Sequence, residues 1–258
     1  MQYAFLMLLA VSALWAKPYR GGELRSIETF RYGRFEVRCR SVGGSGTVSS
    51  FFTYNERVVN GQLDLNEIDI EWLGRYTDRV QYNTITGNHD YHIQFQPLEF
   101  DPATEFHTYA IEWTPDYVSW SVDSLVCYTQ EGGHVDSLDR AQRLIMNIWI
   151  PDFPDWVGPF DPQDLPRYAC YDWVKVYDFT PGAGRYGTDQ NFSLRWVDEF
   201  ESWDTDRWEK GNHTWRKNRA KFTPENVVFQ EGCLILCLTT RTATGCDAKN
   251  ASAACCSP

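Results

Sequence analysis

The chain is poor in several things, and each absence narrows the field. It has eight cysteines but no Cys-x-x-Cys pair, which disfavours zinc ligation. No segment sustains a helical period over three turns, so the helical classes fall away. Positive charge is scarce, and 24 Lys and Arg against 35 Asp and Glu leave a net charge of −11. That balance argues against nucleic acid and anionic membrane surfaces, and against a sulfated or uronic-acid polymer as substrate. Beyond residues 4–15, no stretch is apolar enough to cross a bilayer.

Aromatic residues are abundant, with 11 Trp, 14 Tyr and 15 Phe. Such rings fill β cores, and they also stack on the apolar CH faces of sugars. Together with the charge balance, they make a neutral polysaccharide the best-fitting partner. The apolar run at residues 4–15, ending in small residues before Lys17, reads as a secretory signal over 1–16. An exported, soluble, monomeric protein is expected, and in that setting the cysteines are candidates for disulfides. Eight cysteines allow 105 complete pairings, so the sequence leaves the pairing open.

Strand signals dominate. Residues 35–39, 109–113, 118–122, 173–177 and 234–238 are rich in β-branched and aromatic residues, many with period-two alternation. Thr114-Pro-Asp116 and Asp123-Ser124 read as tight turns. Short strands at turn-punctuated intervals predict an all-β fold, an antiparallel sandwich or jelly roll. A glycine-rich loop lies at 181–190, and the 192–238 segment after it carries too few strands for its own core. A single domain over 17–241 is therefore expected, followed by a cysteine-containing tail at 242–258.

The most informative stretch is Asn66-Glu-Ile-Asp-Ile-Glu-Trp-Leu-Gly74. In a strand, Glu67, Asp69 and Glu71 share one face while Ile68, Ile70 and Trp72 point into a core. No Lys or Arg is interleaved to relieve the repulsion. An acidic solvent face on an edge strand is the bland explanation. Glycoside hydrolysis is the sharper one, because it needs one carboxylate as nucleophile or base and one proton-bearing carboxyl as acid.

Glu67-Ile-Asp-Ile-Glu71-Trp-Leu-Gly resembles the active-site signature of glycoside hydrolase family 16, specifically its lichenase branch. Ser45–Tyr54, Phe106–Pro115, Trp156-Val-Gly and Trp173-Val-Lys-Val-Tyr177 look like further landmarks of that family. The segment resembling the family's opening, Trp196-Val-Asp-Glu-Phe200, follows the one resembling its closing strand, so the chain resembles the circularly permuted lichenases, with the joint at 181–190. The resemblance implies a jelly roll with a concave substrate cleft, and retaining endo-hydrolysis of mixed-linkage β-1,3-1,4-glucan without a catalytic cofactor. Xyloglucan or another β-glucan as substrate, transglycosylation, or a non-catalytic glucan-binding module are the alternatives.

By position, the resemblance makes Glu67 the nucleophile, Glu71 the acid/base and Asp69 the auxiliary acid. Ionised Glu67 and Asp69 would each raise the pKa of Glu71. Along a strand, i and i+4 lie ~13 Å apart, whereas a retaining pair needs carboxyls ~5–5.5 Å apart. Side-chain convergence from a curved strand would have to close that gap. The resemblance also implies cleft roles for Glu23, Phe52, Tyr54, Asn55, Gln81, Asn83, Asn147, Trp149 and Trp156. Core packing is the competing role for each aromatic. Leu65, Ile145 and His213 depart from the resemblance, standing where two tryptophans and an arginine are expected. A structural calcium would be held by Asp172, Glu199 and the backbone of Gly232, or these are three unrelated loop residues.

Overall fold

The computed structural model describes residues 17–246 and Cys255. The signal assigned to 1–16 and most of the tail lie outside them. The strands in chain order are β1 (Tyr19–Phe30), β2 (Gly33–Arg40), β3 (Val48–Val59), β4 (Gln62–Leu73), β5 (Arg79–Gly87), β6 (Asp90–Tyr91), β7 (Gln94–Pro97), β8 (His107–Trp113) and β9 (Tyr117–Val122). There follow β10 (Leu125–Glu131), helix α1 (Gly133–Asp136), β11 (Gln142–Trp149), helix α2 (Pro154–Val157) and β12 (Arg167–Phe179). The chain continues with β13 (Phe192–Asp198), β14 (Trp208–Lys210), β15 (Ala220–Phe222), β16 (Val227–Gln230) and β17 (Cys233–Thr240).

These strands form the two layers of an antiparallel jelly roll. The inner sheet runs β14–β1–β11–β3–β4–β5, with β6 and β7 sharing the far edge of β5. The outer sheet runs β10–β9–β8–β2–β12. The long β12 then pairs with β17 at its start and β13 at its end. Residues beyond 190 thus supply strands to both layers: β14 extends the inner sheet at β1, and β15 joins β1 in parallel.

Alternation explains why the layers stack. Ile68, Ile70 and Trp72 of β4 and Leu144, Met146 and Ile148 of β11 are buried against Phe35, Val37, Ile111, Trp113 and Trp120 of the outer sheet. Each such side chain contributes about 1.5–3 kcal/mol when fully buried. The Asp123-Ser124 turn is seen directly, since both residues take positive φ, 47° and 71°, in the two-residue link from β9 to β10. That primed turn matches the twist of the flanking strands. Asn60-Gly61, at φ 53° and 78°, does the same between β3 and β4.

Among the described residues there are two disulfides. Cys237–Cys246 ties β17 to the segment that follows it, and Cys170–Cys255 ties the tail to β12. Among the described residues no helix is long and apolar enough to cross a membrane.

Candidate active site

The site is built by strand register. β4 pairs with β3 and with β5 without a bulge across residues 67–71, so its side chains alternate strictly. Three transverse rows of side chains result on the open face of the inner sheet. One row runs Glu23 (β1), Asn147 (β11), Ser50 (β3), Glu71 (β4), Gln81 (β5), Phe95 (β7). The next runs Arg25, Ile145, Phe52, Asp69, Asn83 on the same strands as far as β5. The third runs Arg143, Tyr54, Glu67, Ile85 and Tyr91, from β11 to β6. With strands ~4.8 Å apart, six of them give a trough on the order of 24 Å long.

Each acid is fixed from its surroundings. Gln81 donates from Nε2 to Glu71 Oε2 at 2.5 Å and accepts the Trp156 indole N–H on its Oε1 at 2.9 Å. From the core side, the Trp120 indole donates to the Asp69 carbonyl at 3.0 Å and Tyr171 donates its hydroxyl to the Ser50 carbonyl at 3.0 Å. Trp120 in turn stacks on Tyr82, with centroids 5.3 Å apart. The acid-bearing β4 and its neighbour β3 are thus pinned by hydrogen bonds from a packed aromatic core.

All three carboxyls hold protons more tightly than usual. Burial raises Glu71 to about 7, while the Gln81 hydrogen bond opposes the rise. Glu67 is pushed up to about 8, first by burial and then by the Glu71 charge, while a hydrogen bond with Asp69 pulls it down. Asp69 lies well above the ordinary range, for burial first and its two neighbours next. These causes correct the sequence-based expectation that neighbouring charges lift Glu71. Desolvation does it, and the hydrogen bond between Asp69 and Glu67 favours the proton on Asp69.

An aromatic wall runs beside the first row. Trp156, against Gln81, lies 6.1 Å from Trp149, and Trp149 lies 5.0 Å from Trp215. Trp215 stacks on His213 at 6.1 Å, and His213 Nε2 meets Glu23 Oε1 at 2.9 Å. Glu23, 3% exposed, also accepts from Arg25 Nε at 3.0 Å. His213 and Arg25 touch each other as well. The residues named from sequence therefore meet in one trough, with one exception. Asn55 lies on the opposite face of β3, where its amide donates to the Ala141 carbonyl at 2.8 Å and accepts from Arg140 Nε at 3.0 Å. It anchors the loop before β11 and does not face the trough. Arg25, Ser50 and Arg143 were missed, although the period-two pattern of β1, β3 and β11 places them on this face.

Of the residues expected to hold a calcium, one is already engaged. The Asp172 carboxylate is already paired with the Arg38 guanidinium. Its neighbours Glu199 and Gly232 do approach each other, with the Glu199 carbonyl 3.8 Å from where a Cβ on Gly232 would sit. The guanidinium already paired with Asp172 nevertheless opposes a divalent ion there. Among the described residues no group of three or more His, Cys, Asp or Glu is arranged to hold a metal.

A two-layer jelly roll whose open face carries an acid triplet, its middle member Asp69 buried, beside an aromatic wall defines a class of proteins built around extended glycans. The chain matches glycosyl hydrolases family 16 over residues 7–174, and it belongs to that family. It is 41% identical over 234 residues to a beta-glucanase of Fibrobacter succinogenes, covering 88% of this chain and 65% of that protein. It thus spans just under two thirds of that relative's length. A Bacillus licheniformis beta-glucanase structure superposes with a TM-score of 0.54 at 35% identity, over 60% of this chain and 70% of that one. A prokaryotic beta-1,3-1,4-glucanase (lichenase) from a mouse hindgut metagenome does so with a TM-score of 0.54 at 33% identity, over 61% and 78%.

Proposed function

We propose that the protein is a secreted endo-β-glucanase that hydrolyses mixed-linkage β-1,3-1,4-glucan with retention of configuration. The observation that carries this reading is the unbulged run of Glu67, Asp69 and Glu71 across the middle of the trough. The named relatives support the choice of glucan.

Glu71, half-buried and raised to about 7, carries a proton near neutral pH and gives it to the departing glycosidic oxygen. The triplet titrates as one coupled set, and its reactive form is the one with Glu67 ionised and the proton on Glu71. In that form Glu67, accepting a hydrogen bond from Asp69, bonds to the anomeric carbon as the C–O bond breaks. Glu71, now ionised, takes a proton from water. The water oxygen then displaces Glu67 and restores both groups. Asn147 Oδ1, buried between Glu23 and Ser50, has no hydrogen-bond partner among the described residues and suits a sugar hydroxyl. The neutral amides and rings lining the trough fit an uncharged chain.

We also infer that the chain is circularly permuted, with residues 181–190 bridging the old ends. β13 and β17 flank β12, as expected for strands that once preceded it. Reducing-sugar release from barley β-glucan, lichenan, laminarin and xyloglucan tests the substrate. Preference for the first two is expected. Equal or faster turnover of laminarin or xyloglucan would overturn the linkage assignment, and no release from any of them would favour a binding module.

A further inference from the structure

Asn83 lies beside Asp69 in the trough, and its amide is claimed at both ends. Asn83 is the cross-strand partner of Asp69 on β5, with both side chains on the open face, and it opposes that carboxyl's upward shift. Asn83 Oδ1 accepts the backbone N–H of His92 at 3.0 Å. With its oxygen occupied by a donor, the amide turns its NH2 group toward Asp69. Where His92 sits therefore decides how Asn83 meets Asp69.

His92 is held from outside the trough. Gln130 at the end of β10 donates from Nε2 to the His92 carbonyl at 2.7 Å. The Oε1 of the same amide accepts the Thr84 hydroxyl at 2.6 Å and meets His134 Nε2 at 3.2 Å. His134 of α1 stacks on the His92 ring, with centroids 3.8 Å apart and planes at 25°. Gln130 is only 5% exposed, and both ends of its amide are hydrogen-bonded. Buried hydrogen-bonded sets specify one geometry when every member is satisfied.

We infer that Gln130 and His134 are positioning residues for Asp69, acting through the His92 backbone and the Asn83 amide. Their side-chain hydrogen bonds and ring contacts are with Thr84, His92 and each other, and not with the three acids. The inference rests on the hydrolase reading above, since it assigns Asp69 a role in supporting Glu67. A purely structural pair would affect folding or turnover whatever residue stood at 83. A positioning pair matters only while Asn83 is there to be positioned.

A double-mutant cycle separates these outcomes. Gln130→Leu should lower kcat on barley β-glucan about tenfold with KM within about twofold, because Asp69 acts after binding. In an Asn83→Ala background the same substitution should change kcat by less than about twofold. His134→Phe, which keeps the ring stack, should stay near wild type, and His134→Ala should behave like Gln130→Leu. The histidine pair carries the same cycle if the buried glutamine variant fails to fold. Equal losses in both backgrounds, or no loss in the wild-type background, would overturn the inference while leaving the hydrolase reading standing. A wild-type protein inactive on every β-glucan would overturn both.

Discussion

At the scale of single residues, burial governs the chemistry of the acid triplet, and it has a cost in stability. Glu71 ionises near 7 in the folded chain against 4.5 for the exposed group. Over that interval the native state binds more protons than the unfolded one, so stability falls as pH rises from about 4.5 to about 7. Glu71→Gln removes the buried charge. It should melt about 3 °C or more above wild type at pH 8, with the gap closing toward pH 4.5. A scan of melting temperature against pH checks this, and a constant gap would contradict it. Asp69→Asn should reduce kcat less than either glutamate substitution and should move the pH profile, because it takes away the proton shared with Glu67. The triplet itself was legible from period-two spacing. The cause of its proton affinity was not, since burial is set by partners such as Trp156, which reaches the site through Gln81 from 75 positions further along the chain. The same is true of the contact of His213 with Arg25, 188 positions apart.

At the scale of elements, β4 works because its two faces do different jobs. Ile68, Ile70 and Trp72 fix its register against the core, and any one-residue slip would turn the acids inward. The predicted strands and the Asp123-Ser124 turn were legible for this reason, since alternation and turn chemistry are local. The inward-facing position of Asn55 was equally written in the alternation of β3, but the resemblance outweighed it. The disulfides belong to this scale too. Cys170–Cys255 joins residues 85 apart and anchors the tail to β12, away from the acids on β4. Cys255→Ser should therefore lower stability by about 2–4 kcal/mol while leaving kcat unchanged. Denaturant unfolding with a parallel activity assay measures both, and a loss of kcat without loss of stability would show that the tail serves the trough.

At the scale of the whole molecule, the trough is assembled from both ends of the chain. Glu23 and the acids come from the first third, while His213 and Trp215 come from beyond the glycine-rich loop. Expression of residues 17–185 alone should give an inactive or insoluble product, because β12 would lose both β13 and β17. Cutting the 181–190 loop in the intact chain should leave an associated, active pair of fragments. A fully active 17–185 fragment would contradict the permuted, one-domain reading. That reading was legible only through the order of landmarks, since strand pairing across some 200 residues leaves no local trace. The most direct test of the catalytic assignment is azide rescue. With an activated β-glucoside, azide should revive Glu67→Ala to give an α-glycosyl azide and Glu71→Ala to give a β-glycosyl azide, with the anomers read by NMR. The reversed pattern, or no rescue of either variant, would contradict the roles assigned to the two glutamates.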